Sequence, residues 1–191
     1  IRMANAVGVV GTQYSPAIKR MGTKMQLWDL DGREKGTLQT ISNYTKKAKK
    51  GYEEVIAYSP DRKSLLWMGH NPGASYKKRD FFCSVTDDAG TKVWAKRLLL
   101  EPTLLKYKVK QATLDDRGNA YFYMVYETAT NTVKDTVNLP KIVRYVHKEN
   151  KFYTYAMDFH GVSVPEGMIK VTASGDLAFV GILSDGSEKG F

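Results

Sequence analysis

A turn followed by an apolar, strand-like run is written three times along this chain. It appears as SPDRKSLLWMGHN from residue 59, as DDRGNAYFYMVYE from residue 115 and as TASGDLAFVGILSD from residue 172. Gly118 and Gly175 lie 57 residues apart and Arg62 and Gly118 lie 56 apart, the regime of fixed-period repeats that build stacked supersecondary units. A second landmark drifts with the first: Gly90 follows Gly32 by 58 residues, and Asn150 follows Gly90 by 60. A chain that repeats in this way must make one unit several times and bury its apolar faces between neighbours.

The unit reads as four short strands. The second copy gives LLWMGHN (65–71), FFCSVTD (81–87), KVWAKRLLL (92–100) and KVKQATL (108–114), each bounded by Gly, Pro, Asp or Asn turn residues. The first copy gives AVGVVGTQY, MQLWDL, GTLQTI and EEVIAYS, and the third gives AYFYMVYE, KIVRYVH, KFYTYAMDF and GMIKVTA. LAFVGILS then begins a fourth. Twelve Tyr, seven Phe and many Val, Ile and Thr favour strands, because branched and aromatic side chains fit a pleated, half-buried surface. Helix competes only in VWAKRLLLEPTLLKY, which Pro102 interrupts.

The expected fold is therefore all-β and β-propeller-like, with four-stranded antiparallel blades repeating about every 57 residues. The blades fall at 7–58, 65–114 and 120–173, with the first strand of a fourth at 177–184, all in one partial domain. In this phasing, DDRGNAYFYMVYE crosses from the outer strand of one blade to the inner strand of the next. Three units and a strand fall short of the roughly four blades that close a ring, so the expectation is a fragment of a larger propeller. A β-sandwich or an open stack of sheets is the alternative.

The search for chemistry returns turn residues. His70, His147 and His160 show no two-ligand spacing, and the lone Cys83 excludes an internal disulfide or a multi-cysteine metal site, so neither metal nor cofactor is expected. Cys83 alternates with Phe81 and Val85, which reads as a buried thiol. Asp87-Asp88 and Asp115-Asp116 could be paired carboxylates, but they sit at repeat turns, where Asp is favoured for bonding its own backbone. DLDGRE (29–34) has the start of a calcium loop without its later ligands, and reads as a hairpin turn. No nucleophile elbow, P-loop or dinucleotide fingerprint is present. A serine triad assembled from separate blades remains open, and enzymatic activity is the less favoured expectation.

Charge is the more informative feature. The net charge is +9, and in units one and two the connections assigned to one face of the disc hold Lys19, Arg20 and Lys24, then Lys46, Lys47, Lys49 and Lys50, then Lys77, Lys78 and Arg79 against Asp80. These sum to about +9, whereas the opposite turns nearly cancel. Tyr44 and Tyr76 stand among these cations as aromatic partners for a sugar or base. The expected ligand-binding residues are Lys46, Lys47, Lys49, Lys50, Tyr76, Lys77, Lys78 and Arg79. No apolar run approaches the roughly 20 residues that span a bilayer, and the chain begins at Ile1.

The segments YSPDRKSLLWM, FFCSVTDDAGTKVWAKRLLLE, DDRGNAYFYMVYE and GDLAFVGILSDGSEKGF, with Trp94 in its place, resemble propeller-forming cell-envelope proteins of Bacteroidetes-type bacteria. The likeness covers most of residues 50–191. It implies an exported, extracytoplasmic protein (periplasmic, on the outer membrane or secreted), and it brings no catalytic residues to carry over. The functional expectation is a non-enzymatic binding or scaffold module that meets a protein or anionic glycan through its basic face. It would associate with remaining blades or other chains to close the propeller. A carbohydrate-active hydrolase or lyase with carboxylates near the channel is the alternative, and nucleic acid is disfavoured because no recognition helix or aromatic sheet motif is present.

Overall fold

The computed structural model describes residues 2–15, 17, 20–45, 53–70, 80–99, 104, 107–126, 139–160 and 163–184. These fold as antiparallel sheets of consecutive strands, and no helix occurs among them except a single helical-turn residue at Leu104. The all-β, repeated-sheet architecture expected from the sequence is therefore present. The chain divides into two compact units, Ile1–Leu105 and Lys106–Phe191.

In the first unit, β1 (Val7–Ser15), β2 (Arg20–Trp28) and β3 (Glu34–Thr45) form one sheet, and β4 (Glu53–Tyr58), β5 (Ser64–His70), β6 (Asp80–Asp87) and β7 (Lys92–Leu99) form a second. In the second unit, β8 (Tyr107–Leu114), β9 (Ala120–Tyr126), β10 (Lys141–Val146) and β11 (Lys151–Ala156) make a four-stranded sheet, and β12 (Ser163–Val171) pairs with β13 (Leu177–Ser184).

One local rule makes most of these hairpins. At 29–33, 87–91, 115–119 and 172–176 the first residue donates its N–H to the fifth carbonyl and accepts one from the fourth, a glycine. Those glycines, Gly32, Gly90, Gly118 and Gly175, all have positive φ. This is a type I turn closed by a left-handed residue, whose geometry matches the twist of paired strands. An aspartate in first position caps it: Oδ1 of Asp29, of Asp87 and of Asp115 each accepts the N–H groups of the third and fifth residues. In the turn between β10 and β11 Asn150 takes the glycine's place, and in the longer turn at 59–64 Arg62 does so, both at positive φ.

This turn corrects the sequence-based phasing. A type I turn with a left-handed closing residue forces its two flanks to pair, so strands on either side belong to one sheet. DDRGNAYFYMVYE accordingly holds the β8–β9 hairpin, with Leu114 opposite Ala120, instead of a crossing between blades. SPDRKSLLWMGHN likewise holds the β4–β5 hairpin, with Tyr58 opposite Leu65. The sheets thus break after β3, β7 and β11, one strand earlier than the 7–58, 65–114 and 120–173 grouping.

Within the first unit the two sheets meet through Met3, Ala6, Met25, Leu27, Leu65 and Trp67, with Val10 and Phe82 at the margin. Burying such side chains contributes about 1.5–3 kcal/mol each. Polar contacts align the sheets end to end. Asn5 donates to Asp88 at 2.8 Å and the Ala4 N–H donates to the Arg62 carbonyl at 2.9 Å near the turns, while the Thr23 hydroxyl donates to Glu54 at 2.8 Å toward the other end. In the second unit, Tyr121, Tyr123 and Ile142 face Ile169 and Val171, with Val125, Met157, Leu177 and Phe179 around them. A register shift between Val109 and Gln111 accompanies a contact in which the Gln111 side chain accepts the backbone N–H of Ile169 at 2.6 Å.

Candidate functional site

Among the described residues, the thiol and the turn aspartates Asp29, Asp87 and Asp115 are committed to structure. Cys83 is fully buried, and burial pushes its thiol well above the ordinary range, so it presents no thiolate. Asp115, 7% exposed, spends its carboxylate on four donors: the N–H groups of Arg117 and Asn119, the Asn119 amide at 2.8 Å and the Tyr121 hydroxyl at 3.1 Å. A carboxylate so saturated holds a turn and is closed to a substrate proton. Asp87 and Asp29 serve the same turn role, which bears out the hairpin reading of DLDGRE and of the Asp87-Asp88 pair.

His147 begins the β10–β11 turn, and burial, with Lys148 beside it, holds its imidazole below the usual range. The exposed His160 has positive φ, and its N–H is held by Asp158 at 2.8 Å. No group of three or more His, Cys, Asp or Glu side chains placed to hold a metal occurs among the described residues. No helix among them is long and apolar enough to cross a membrane.

The expected ligand-binding residues Lys46, Lys47, Lys49, Lys50, Tyr76, Lys77, Lys78 and Arg79 lie outside the described residues, as does Tyr44 in its side chain. The strand termini on either side of them are described, and they share one end of the first unit. Ser15 is opposite Arg20, and Arg20 is opposite Thr45, at the end of β1–β2–β3 remote from the Asp29 turn. Glu53 is opposite His70 and Asp80 opposite Leu99, at the end of β4–β7 remote from the turns at 59–64 and 87–91. The Thr23–Glu54 hydrogen bond puts these two ends side by side. The lysine-bearing stretches 46–52 and 71–79 therefore both join strand termini at the same end. Antiparallel pairing dictates this, because tight turns occupy the other end of both sheets.

A feature the sequence reading missed is a tyrosine and arginine ladder on β9–β10–β11. Tyr121, Arg144 and Tyr153 are direct cross-strand neighbours, as are Tyr123, Ile142 and Tyr155. The Arg144 guanidinium lies 5.5 Å from the Tyr121 ring centre, within cation–π range, and its buried Nε has no hydrogen-bond partner. Tyr153 donates its hydroxyl to Glu149 at 2.7 Å, and Tyr155 is 50% exposed. The signal was the alternation in AYFYMVY, KIVRYV and KFYTYA, but only the register aligns the three rows.

No family model and no curated protein matches the chain.

Proposed function

We propose that this protein is a non-enzymatic binding module whose rigid β-sheets display a cationic end to an anionic glycan. The observation that carries the reading is the gathering of the flanking strand termini of 46–52 and 71–79 at one end of the first unit. In sequence, those stretches contain Lys46, Lys47, Lys49, Lys50, Lys77, Lys78 and Arg79, with Tyr76 among them. Binding of this kind belongs to loops carried on a rigid scaffold. Lysines act as point charges without arginine's bidentate fork, so capture is salt-sensitive and tolerant of glycan sequence. The setting in a bacterial envelope rests on the resemblance of residues 50–191 to exported propeller proteins, and fractionation of cells carrying the native gene tests it.

An immobilised sulfated polysaccharide tests the binding. The protein should be retained at low salt and released as screening rises. Changing Lys46, Lys47, Lys49 and Lys50 together to Glu should abolish retention while stability changes by no more than about 0.5 kcal/mol. Undiminished retention of that variant would overturn the reading. The carbohydrate-active enzyme alternative is weakened by the use of Asp29, Asp87 and Asp115 as turn caps.

A further inference from the structure

We infer that the face of β9–β10–β11 that carries Arg144 is a binding site for a uronic-acid unit of a glycan, with the sugar ring on Tyr153 and Tyr155 and its carboxylate on the guanidinium. The site lies in the second unit, on the face of three paired strands, and uses none of the lysines at 46–50 or 77–78.

Arg144 is a positioned cation. Cross-strand register sets it between Tyr121 on β9 and Tyr153 on β11. Its guanidinium lies 5.5 Å from the Tyr121 ring centre, and its buried Nε has no hydrogen-bond partner. No ion pair to it occurs among the described residues. The carboxylates that touch the two flanking tyrosines are engaged by other donors: Asp115 accepts the Tyr121 hydroxyl beside three further N–H groups, and Glu149 accepts the Tyr153 hydroxyl at 2.7 Å. A buried donor without an acceptor is unfavourable, and a ring face replaces only part of what is lost.

The chemistry of the missing partner follows. A guanidinium fork matches the two coplanar oxygens of a carboxylate, and a side-on approach, with the fork turning on Tyr121 to receive it, supplies Nε with an acceptor and adds a second bond at Nη. Asp115 and Glu149 repel a doubly charged group, which ranks a single carboxylate above a phosphate monoester.

Beside Arg144 the face is aromatic. Tyr155 is 50% exposed and follows Tyr153 by two residues on the same face, about 7 Å along the strand. Lys151, whose Nζ is 5.1 Å from the Tyr153 ring centre, extends the row with a second cation. Pyranose rings lay their C–H faces on such aromatics and bond their hydroxyls to phenolic oxygens. A neutral sugar leaves Arg144 unpaired, and a small inorganic anion leaves the rings bare, so the acid sugar alone uses the whole row.

Tetragalacturonate is the probe, titrated into the whole protein by calorimetry and followed by backbone amide NMR, with its fully methyl-esterified form as the control. The acid form should bind saturably, and the ester at least about tenfold more weakly. Amide shifts should centre on residues 142–146 and 151–156. Arg144→Met, which keeps an apolar stem, should weaken binding about tenfold, and Tyr155→Ala, at a half-exposed position, about threefold or more. The ester comparison and Tyr155→Ala decide the matter even where Arg144→Met misfolds. No binding at millimolar probe, equal binding of the ester, or undiminished affinity in Tyr155→Ala or in folded Arg144→Met would each overturn the proposal. Shifts confined to the first unit would overturn it too, by giving the acid sugar to the lysine-bearing end.

Discussion

Among the described hairpin turns, four glycines and two substitutes hold the closing position, and the substitutes reveal what that position costs. Arg62 adopts φ 59° where Gly32, Gly90, Gly118 and Gly175 adopt 78–88°. A left-handed conformation costs a branched-at-Cα residue about 1–2 kcal/mol, partly offset by glycine's greater freedom in the unfolded chain. Arg62→Gly should therefore raise stability by a few tenths to about 1 kcal/mol in denaturant titration. Asp115→Ala should lower it by about 2–3 kcal/mol, because buried Asn119 and the Tyr121 hydroxyl lose their shared acceptor. His147 has an ordinary value near 6.5 that folding lowers, so the unfolded chain binds more protons just below that pH. Stability should fall as pH drops through about 6.5 and level off below the folded value, and His147→Gln should flatten that slope in thermal melts. Cys83, by contrast, should resist a thiol reagent until the chain unfolds.

At the scale of strands, most of the fold was legible, because alternating aromatic and branched residues between Asp and Gly turns allow little else. FFCSVTD became β6, KVWAKRLLL became β7 despite its leucines, and LAFVGILS became β13. The phase of the repeat was not legible from spacing, since two turns of one kind occur per period and either could be the boundary. Turn chemistry did hold the answer: the Asp-x-x-Gly-x turn at 115–119 is the same device as that at 87–91, and both close hairpins. A further device was invisible in sequence. Gly167 and Gly181 are opposite one another, and the Phe179 ring lies where a methyl on either would fall, within 2.6 and 2.7 Å. The ring substitutes for the absent side chains and packs on Tyr123, 5.4 Å between centres. Gly167→Ala should cost about 1–3 kcal/mol through the displaced ring, read as a lowered midpoint with unchanged denaturant slope.

At the scale of the molecule, charge and topology meet. Antiparallel chains with tight turns at one end must send their longer connections to the other, and in the first unit the sequence between those strand termini carries Lys46, Lys47, Lys49, Lys50, Lys77 and Lys78. Which end each connection leaves from could be inferred from spacing alone, because it does not depend on the one-strand correction: moving a sheet boundary changes which strands pair but not that end. Side-chain positions could not be inferred in the same way, because Lys46 to Lys50 and Tyr76 to Arg79 have no alternation or turn signature to place them. The ladder of Tyr121, Arg144 and Tyr153 escaped for the converse reason: each residue was read correctly as strand, yet their adjacency depends on register.

The uniform turn end also makes the protein a natural display frame. Register in both sheets of the first unit is pinned by short hairpins at one end, so the chain between His70 and Asp80 can be exchanged for foreign peptides of varied length without slipping a strand. Loop-closure entropy grows only slowly, about 0.6 kcal/mol per doubling of length, so libraries grafted there should melt within a few degrees of the parent.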